Sequence, residues 1–152
     1  SCSSKSGVAM RFPFDWQKIT GRFGTVSEYR KANGMQAHSG VDWAMPYGTP
    51  IPAIANGTIV LQQFSKVLGN VSVQRVMSKD EKIWYVGYCH MRAEGLAVGT
   101  KVAEGDTIGF IGNTGSASSG PHLHLTVGAK LKSVFGATSE KIDPIQFIKD
   151  NK

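Results

Sequence analysis

Asn70–Met77 reads NVSVQRVM, with Val71, Val73 and Arg75 on one set of alternate positions and Ser72, Gln74 and Val76 on the other. Successive side chains of a strand point to opposite faces, so this period of two predicts a β-strand half buried against a core. The same short, branched and aromatic character recurs at Val41–Met45, Thr49–Ile54, Gly57–Phe64, Lys82–His90, Thr107–Ile111 and His122–Gly128. Gly, Pro, Asn and Ser separate these runs, as they separate the strands of an antiparallel sheet. Pro46, Pro50 and Pro52 fit only turns or edge positions, because proline cannot donate to a ladder. One helix is predicted, at the end of the chain: Asp143 as cap, Pro144 in the first turn, and Ile145, Phe147 and Ile148 toward the core. The expected fold is mainly β, a compact antiparallel β-sandwich with long surface loops and a short C-terminal helix.

The chain has 152 residues, 41% hydrophobic and 18% charged, which suits a single globular domain. Residues 1–11 are expected to be a flexible tail or linker and residues 12–152 the domain. No apolar run is long enough to span a bilayer, so no membrane insertion is expected. Ser1–Gly7 (SCSSKSG) lacks an apolar h-region, so no signal peptide is visible in it. A net charge of +6 points to attraction toward an anionic surface. The cations are scattered, with no dense basic run or aromatic-basic strand, and nucleic acid is not expected as a partner. Cys2 and Cys89 form no CxxC pair, and two free thiols are expected. Cys89 adjoins His90, but neighbours on a strand diverge, so a buried structural cysteine is expected rather than a nucleophile.

The four histidines and one aspartate carry the chemistry. In HSGVDW, His38 and Asp42 are four residues apart, and Gly40 and Pro46 argue against a helix there. A loop or bent strand can still bring imidazole and carboxylate to one metal, although Asp42 alone could serve a turn. In GPHLHL, His122 and His124 share one strand face, while Leu123 and Leu125 point into the core. His90, in YCHM, ends a strong strand. A hydrolytic zinc site needs three protein ligands, an open position and a group that moves the proton. Five candidate side chains match about five roles.

At these residues the chain resembles the lysostaphin-type zinc endopeptidases, the β-lytic peptidoglycan hydrolases. The resemblance runs from roughly Phe12 to Ile148. It rests on HSGVDWAMPYGTPIPAIANGTIV, on YCHM, on VAEGDTIGFIGNTGSASSGPHLHLTV and on the closing DPIQFI. It implies one Zn2+ ion held by His38, Asp42 and His124, with His90 and His122 catalytic rather than ligating. It implies cleavage of a cross-bridge or stem peptide of bacterial peptidoglycan by a metal-activated water. A secreted or cell-envelope enzyme, or a phage virion lysin, follows from that substrate, and a monomer is expected. Tyr29, Asn33 and Met35, on the approach to His38, are candidates for the substrate groove. The chain departs from the family pattern at Leu125 and Thr126, where Phe-Glu is usual, and at Met91, where leucine is usual. A non-catalytic cell-wall-binding or activator module on the same scaffold is the alternative, but such modules lose metal-site residues and all five are present here. VAEGDTIG also resembles a turn of lipoyl and biotin carriers, with Lys79 as the tempting lysine; that reading leaves the histidines unexplained.

Overall fold

The computed structural model describes residues 9–152. Its strands are β1 (Val41–Ala44), β2 (Pro50–Pro52), β3 (Gly57–Ser65), β4 (Gly69–Met77), β5 (Ile83–Met91), β6 (Lys101–Val102), β7 (Thr107–Phe110), β8 (His122–Gly128) and β9 (Lys141–Ile142). The helices are α1 (Glu28–Ala32) and α2 (Pro144–Asp150). Seven strands form one antiparallel sheet ordered β1-β8-β5-β4-β3-β6, with β9 joining β8, while β2 and β7 pair separately. Proline-bearing β2 thus lies in a two-stranded sheet with no inner position to fill. The mainly antiparallel β architecture and the short C-terminal helix are as the sequence predicts. In α2, Asp143 accepts from the Ile145 amide at 2.9 Å, and Pro144, Ile145, Phe147 and Ile148 are buried.

Each of the seven sequence segments corresponds to a strand. The sequence gives no sign of β6 and β9, two residues each, which exist only because a longer partner offers its edge. It also gives none of α1, five residues with no buried side chain, held by Ser27 accepting from the Arg30 amide. So short a helix is stabilised by its caps rather than by an apolar face. Met10 and Arg11, assigned to the tail from sequence, join the body. Met10 is buried in the core, and the Arg11 amide donates to Ile54 O at 2.8 Å.

β4 is not half buried as its alternation suggests: Ser72 and Gln74 are as inaccessible as Val71 and Val73. The sheet carries apolar layers on both faces. The main core holds Trp43, Ile51, Tyr88, Leu123 and Leu125. A smaller layer holds Val71, Val73, Cys89 and Val134 under the 3-10 turn Leu131–Phe135. Buried polar groups must be paired, and Gln74 is. Its Nε2 donates to Ala55 O at 2.6 Å, and its Oε1 accepts from the Tyr88 hydroxyl at 2.7 Å. That hydroxyl in turn accepts from the Ile54 amide at 3.1 Å. Burial raises the Tyr88 pKa well above the ordinary phenol range, so the hydroxyl stays a donor. Tyr88→Phe strands the Ile54 amide and the Gln74 carbonyl, and a loss of about 2 kcal/mol is expected. Urea denaturation measures it; an unshifted midpoint would show that the chain of bonds gives no net stability.

Candidate metal centre

β8 presents His122 and His124 on one face while Leu123 and Leu125 enter the main core. β1 pairs with β8 so that Asp42 stands directly opposite His124. Directly opposed residues have neighbouring Cβ atoms, so the register alone brings carboxylate and imidazole together. Asp42 Oδ1 lies 2.8 Å from His124 Nδ1, and Asp42 Oδ2 lies 3.1 Å from His38 Nε2. His38 comes from the loop ahead of β1 and donates its Nδ1–H to Arg22 O at 3.0 Å. That bond fixes the tautomer and turns the Nε2 lone pair toward Asp42. One ligand atom each from His38, Asp42 and His124 lies within 4.8 Å of the others. Two imidazole nitrogens and a carboxylate oxygen, oriented by an outer carbonyl, form a set that can hold a metal ion such as zinc.

The electrostatics suit a cation. Burial raises the Asp42 pKa, but the hydrogen bond from His124, with the His38 ring beside it, outweighs this and holds the carboxyl far below the usual carboxylate range. Burial lowers the pKa of His124, partly offset by Asp42, which favours the neutral imidazole that a metal requires.

Gly40 explains why the loop between His38 and Asp42 needs its glycine. A Cβ there would meet Leu125 O at 2.2 Å and the His124 ring at 2.9 Å. The backbone cannot yield that much, so Gly40→Ala must push the loop off β8 and separate the donors. A fall of about tenfold or more in metal affinity is expected, the scale on which displaced outer partners act. Competition against a chelating dye reads it; an affinity equal to that of the parent protein would contradict the close approach. Thr126, where the sequence departs from the family pattern, fastens the same loop by donating its hydroxyl to Ser39 O at 3.0 Å.

His122 and His90 lie beside this triad. The His122 Nδ1–H donates to Gly120 O at 2.8 Å, and its Nε2 is 3.9 Å from Asp42 Oδ1. The His90 Nδ1–H donates to Thr114 O at 2.6 Å. The two rings are 4.7 Å apart, and His90 is 6.0 Å from the His124 ring. Strand alternation sends His90 to the face opposite Cys89 and His124, but the structure does not follow it. His90 has φ 61, a left-handed conformation rare outside glycine, which turns its ring back toward the histidines. Burial lowers the His90 pKa to about 4, leaving a neutral ring with Nε2 free to accept.

Among the other sequence candidates, Met35 lines a cavity of about 520 Å³ that reaches Ser39. Tyr29, 70% exposed, and Asn33, which caps α1, do not line it. A second cavity of about 260 Å³, lined by Thr20, Asp42, Gly120 and His122, opens from the same centre. Cys89 is fully buried, and burial pushes its thiol up to about 12, which leaves it inert as a nucleophile. Cys2 lies outside the described residues. Sequence reasoning missed Arg22, Thr114 and Gly120, which act through backbone carbonyls and so leave no side-chain signature.

Residues 36–143 match the family model described as Peptidase family M23. The chain is 30% identical over 115 residues to the peptidoglycan DD-endopeptidase ShyC of Vibrio cholerae, covering 76% of this chain and 25% of that protein. It is 33% identical over 112 residues to lysostaphin of Staphylococcus simulans, covering 74% of this chain and 21% of that protein. The crystallised catalytic domain of S. simulans lysostaphin superposes with a TM-score of 0.70 at 30% identity, over 87% of this chain and 92% of that domain. The chain therefore spans about a quarter of the length of these curated relatives.

Proposed function

The chain belongs to peptidase family M23 and is a metallopeptidase domain of the lysostaphin type, and on that premise we propose that it cleaves peptide bonds of bacterial peptidoglycan. In this reading His38, Asp42 and His124 hold one zinc ion, and His90 and His122 move the proton. The observation that carries it is the convergence of three ligand atoms within 4.8 Å beside two further imidazoles. Zinc at such a site supplies Lewis-acid polarisation of the scissile carbonyl and acidifies the attacking water.

The residues supply the rest. His122 Nδ1–H is committed to Gly120 O and His90 Nδ1–H to Thr114 O, so each neutral ring offers Nε2 as the proton acceptor. One of them takes a proton as water adds to the carbonyl carbon. The pair then returns a proton to the departing amine nitrogen, and the peptide C–N bond breaks. Imidazolium held beside the developing oxyanion also stabilises it. The buried backs of both rings against Thr114 and Gly120 keep their orientation fixed between these steps.

A wall substrate places the protein outside the cytoplasmic membrane, whether secreted, periplasmic or carried by a phage. The net charge of +6 favours approach to an anionic envelope. Among the described residues no helix is long and apolar enough to cross a membrane. The domain, residues 12–152 with Met10 and Arg11 packed onto them, is proposed to work as a monomer, without nucleic acid. The non-catalytic alternative is disfavoured because none of the five side chains is missing or turned away.

The test is metal removal. Dialysis against a chelator is expected to abolish release of peptides from purified walls, and one equivalent of Zn2+ per chain to restore it. Protein that takes up no zinc and releases no peptide would instead be a binding or activator module.

A further inference from the structure

The cavity of about 520 Å³ reaches Ser39, which follows His38 in sequence and whose Oγ is 3.5 Å from His124 Nε2, so it adjoins the segment that carries the proposed ligands. Part of its wall is apolar, with Met35, Leu68 and Val134. Uncharged polar residues such as Gln36, Ser65 and Thr138 and two cations, Arg30 and Lys141, also line it, and no Asp or Glu does. Arg30 Nη1 donates to Gln36 O at 2.9 Å and Lys141 Nζ donates to Gly136 O at 3.0 Å. Neither takes part in an ion pair among the described residues. Glu140, next in sequence, attracts Lys141 through space but forms no ion pair with it, and its Oε2 accepts from the Ala137 amide at 3.1 Å.

Lys141 is half-buried on β9, and burial lowers the pKa of its ammonium. A cation withdrawn from water is costly unless a negative charge meets it. A guanidinium has five N–H donors and an ammonium three, so each retains donors beyond its one carbonyl. Two cations with donors to spare on the wall of a partly apolar cavity match a carboxylate attached to an aliphatic residue. A bridge made only of small uncharged residues would leave both unmet.

We propose that Arg30 and Lys141 form a carboxylate subsite beside the metal centre, selecting wall peptides that carry a free carboxylate near the scissile bond over uncharged bridge peptides. This inference rests on the endopeptidase reading of the adjoining centre. Charge-assisted hydrogen bonds set the expected size, about tenfold or more.

The experiment compares a synthetic wall peptide bearing a free side-chain or α-carboxylate next to the cleaved bond with the same peptide amidated there. The zinc-loaded protein is expected to cleave the carboxylate form with about tenfold higher kcat/KM. Lys141→Met and Arg30→Gln are each expected to bring the carboxylate form down toward the carboxamide rate, while Lys141→Arg keeps the preference. Equal rates for the two peptides in the parent protein would overturn the subsite and leave the endopeptidase reading intact. Calorimetric binding of the two uncleavable product peptides gives an answer independent of turnover. If neither peptide nor whole walls are cleaved, the endopeptidase reading fails, and equal binding of the two products then removes the subsite as well. Polyglycerol phosphate competing as well as the carboxylate peptide would reassign the cations to a phosphate polymer and overturn the proposal.

Discussion

Replacing His124 with alanine is expected to remove bound zinc and hydrolytic activity together. His124 is the one proposed ligand on β8; His38 and Asp42 both come from the segment running into β1. Its loss leaves two donors from one side and deprives Asp42 of the 2.8 Å contact to Nδ1. Displacing only the outer partners of ligands commonly costs 10–100-fold in affinity, so loss of a ligand itself should exceed about 100-fold. The fold should survive, because Leu123 and Leu125 retain their places in the main core. Elemental analysis of zinc per chain, alongside near-ultraviolet circular dichroism, separates metal loss from unfolding. A folded His124→Ala protein that still held one zinc would refute the assignment of ligands.

The opposite pattern is expected at the other member of the pair. His122→Ala and His90→Ala should keep most of the zinc yet lose about 10²–10⁴-fold in turnover, the range of general acid–base contributions. Their Nδ1 atoms are bound to backbone carbonyls and they stand outside the closest group of donors. In the proposed mechanism both serve the same proton transfer, so the two should act as a unit, and the double variant should be little worse than the poorer single one. Peptide release from purified walls, normalised to zinc content, gives both quantities. If His122→Ala emptied the site while His124→Ala did not, the two histidines would have to exchange roles. Multiplicative losses in the double variant would mean that they serve separate steps.

Some of this was legible because it is local. The period of two in NVSVQRVM and in HLHL sets which side chains share a face, whatever the strand's partners turn out to be. Asp143-Pro144 announces a helix start because capping and a fixed proline φ are properties of two adjacent residues. Other features were hidden because partners create them. β6 and β9 are strands only through β3 and β8. The burial of Gln74 depends on Tyr88 and Ala55, residues that no window around β4 contains.

The candidate site divides along the same line. Sequence by itself determined that His122 and His124 share a face, that Leu123 and Leu125 anchor them, and that HxGxD can offer imidazole and carboxylate together. Only the tertiary structure set Asp42 opposite His124 across 82 residues, since register is fixed by which faces of β1 and β8 enter the core. It alone returned His90 to that face, through a φ of 61 that strand periodicity does not foresee. It alone brought Arg30 and Lys141, one following the cap of α1 and one on β9, to a single cavity wall. Local chemistry is written in spacing, whereas convergence of distant segments is settled by packing and sheet pairing over the whole chain.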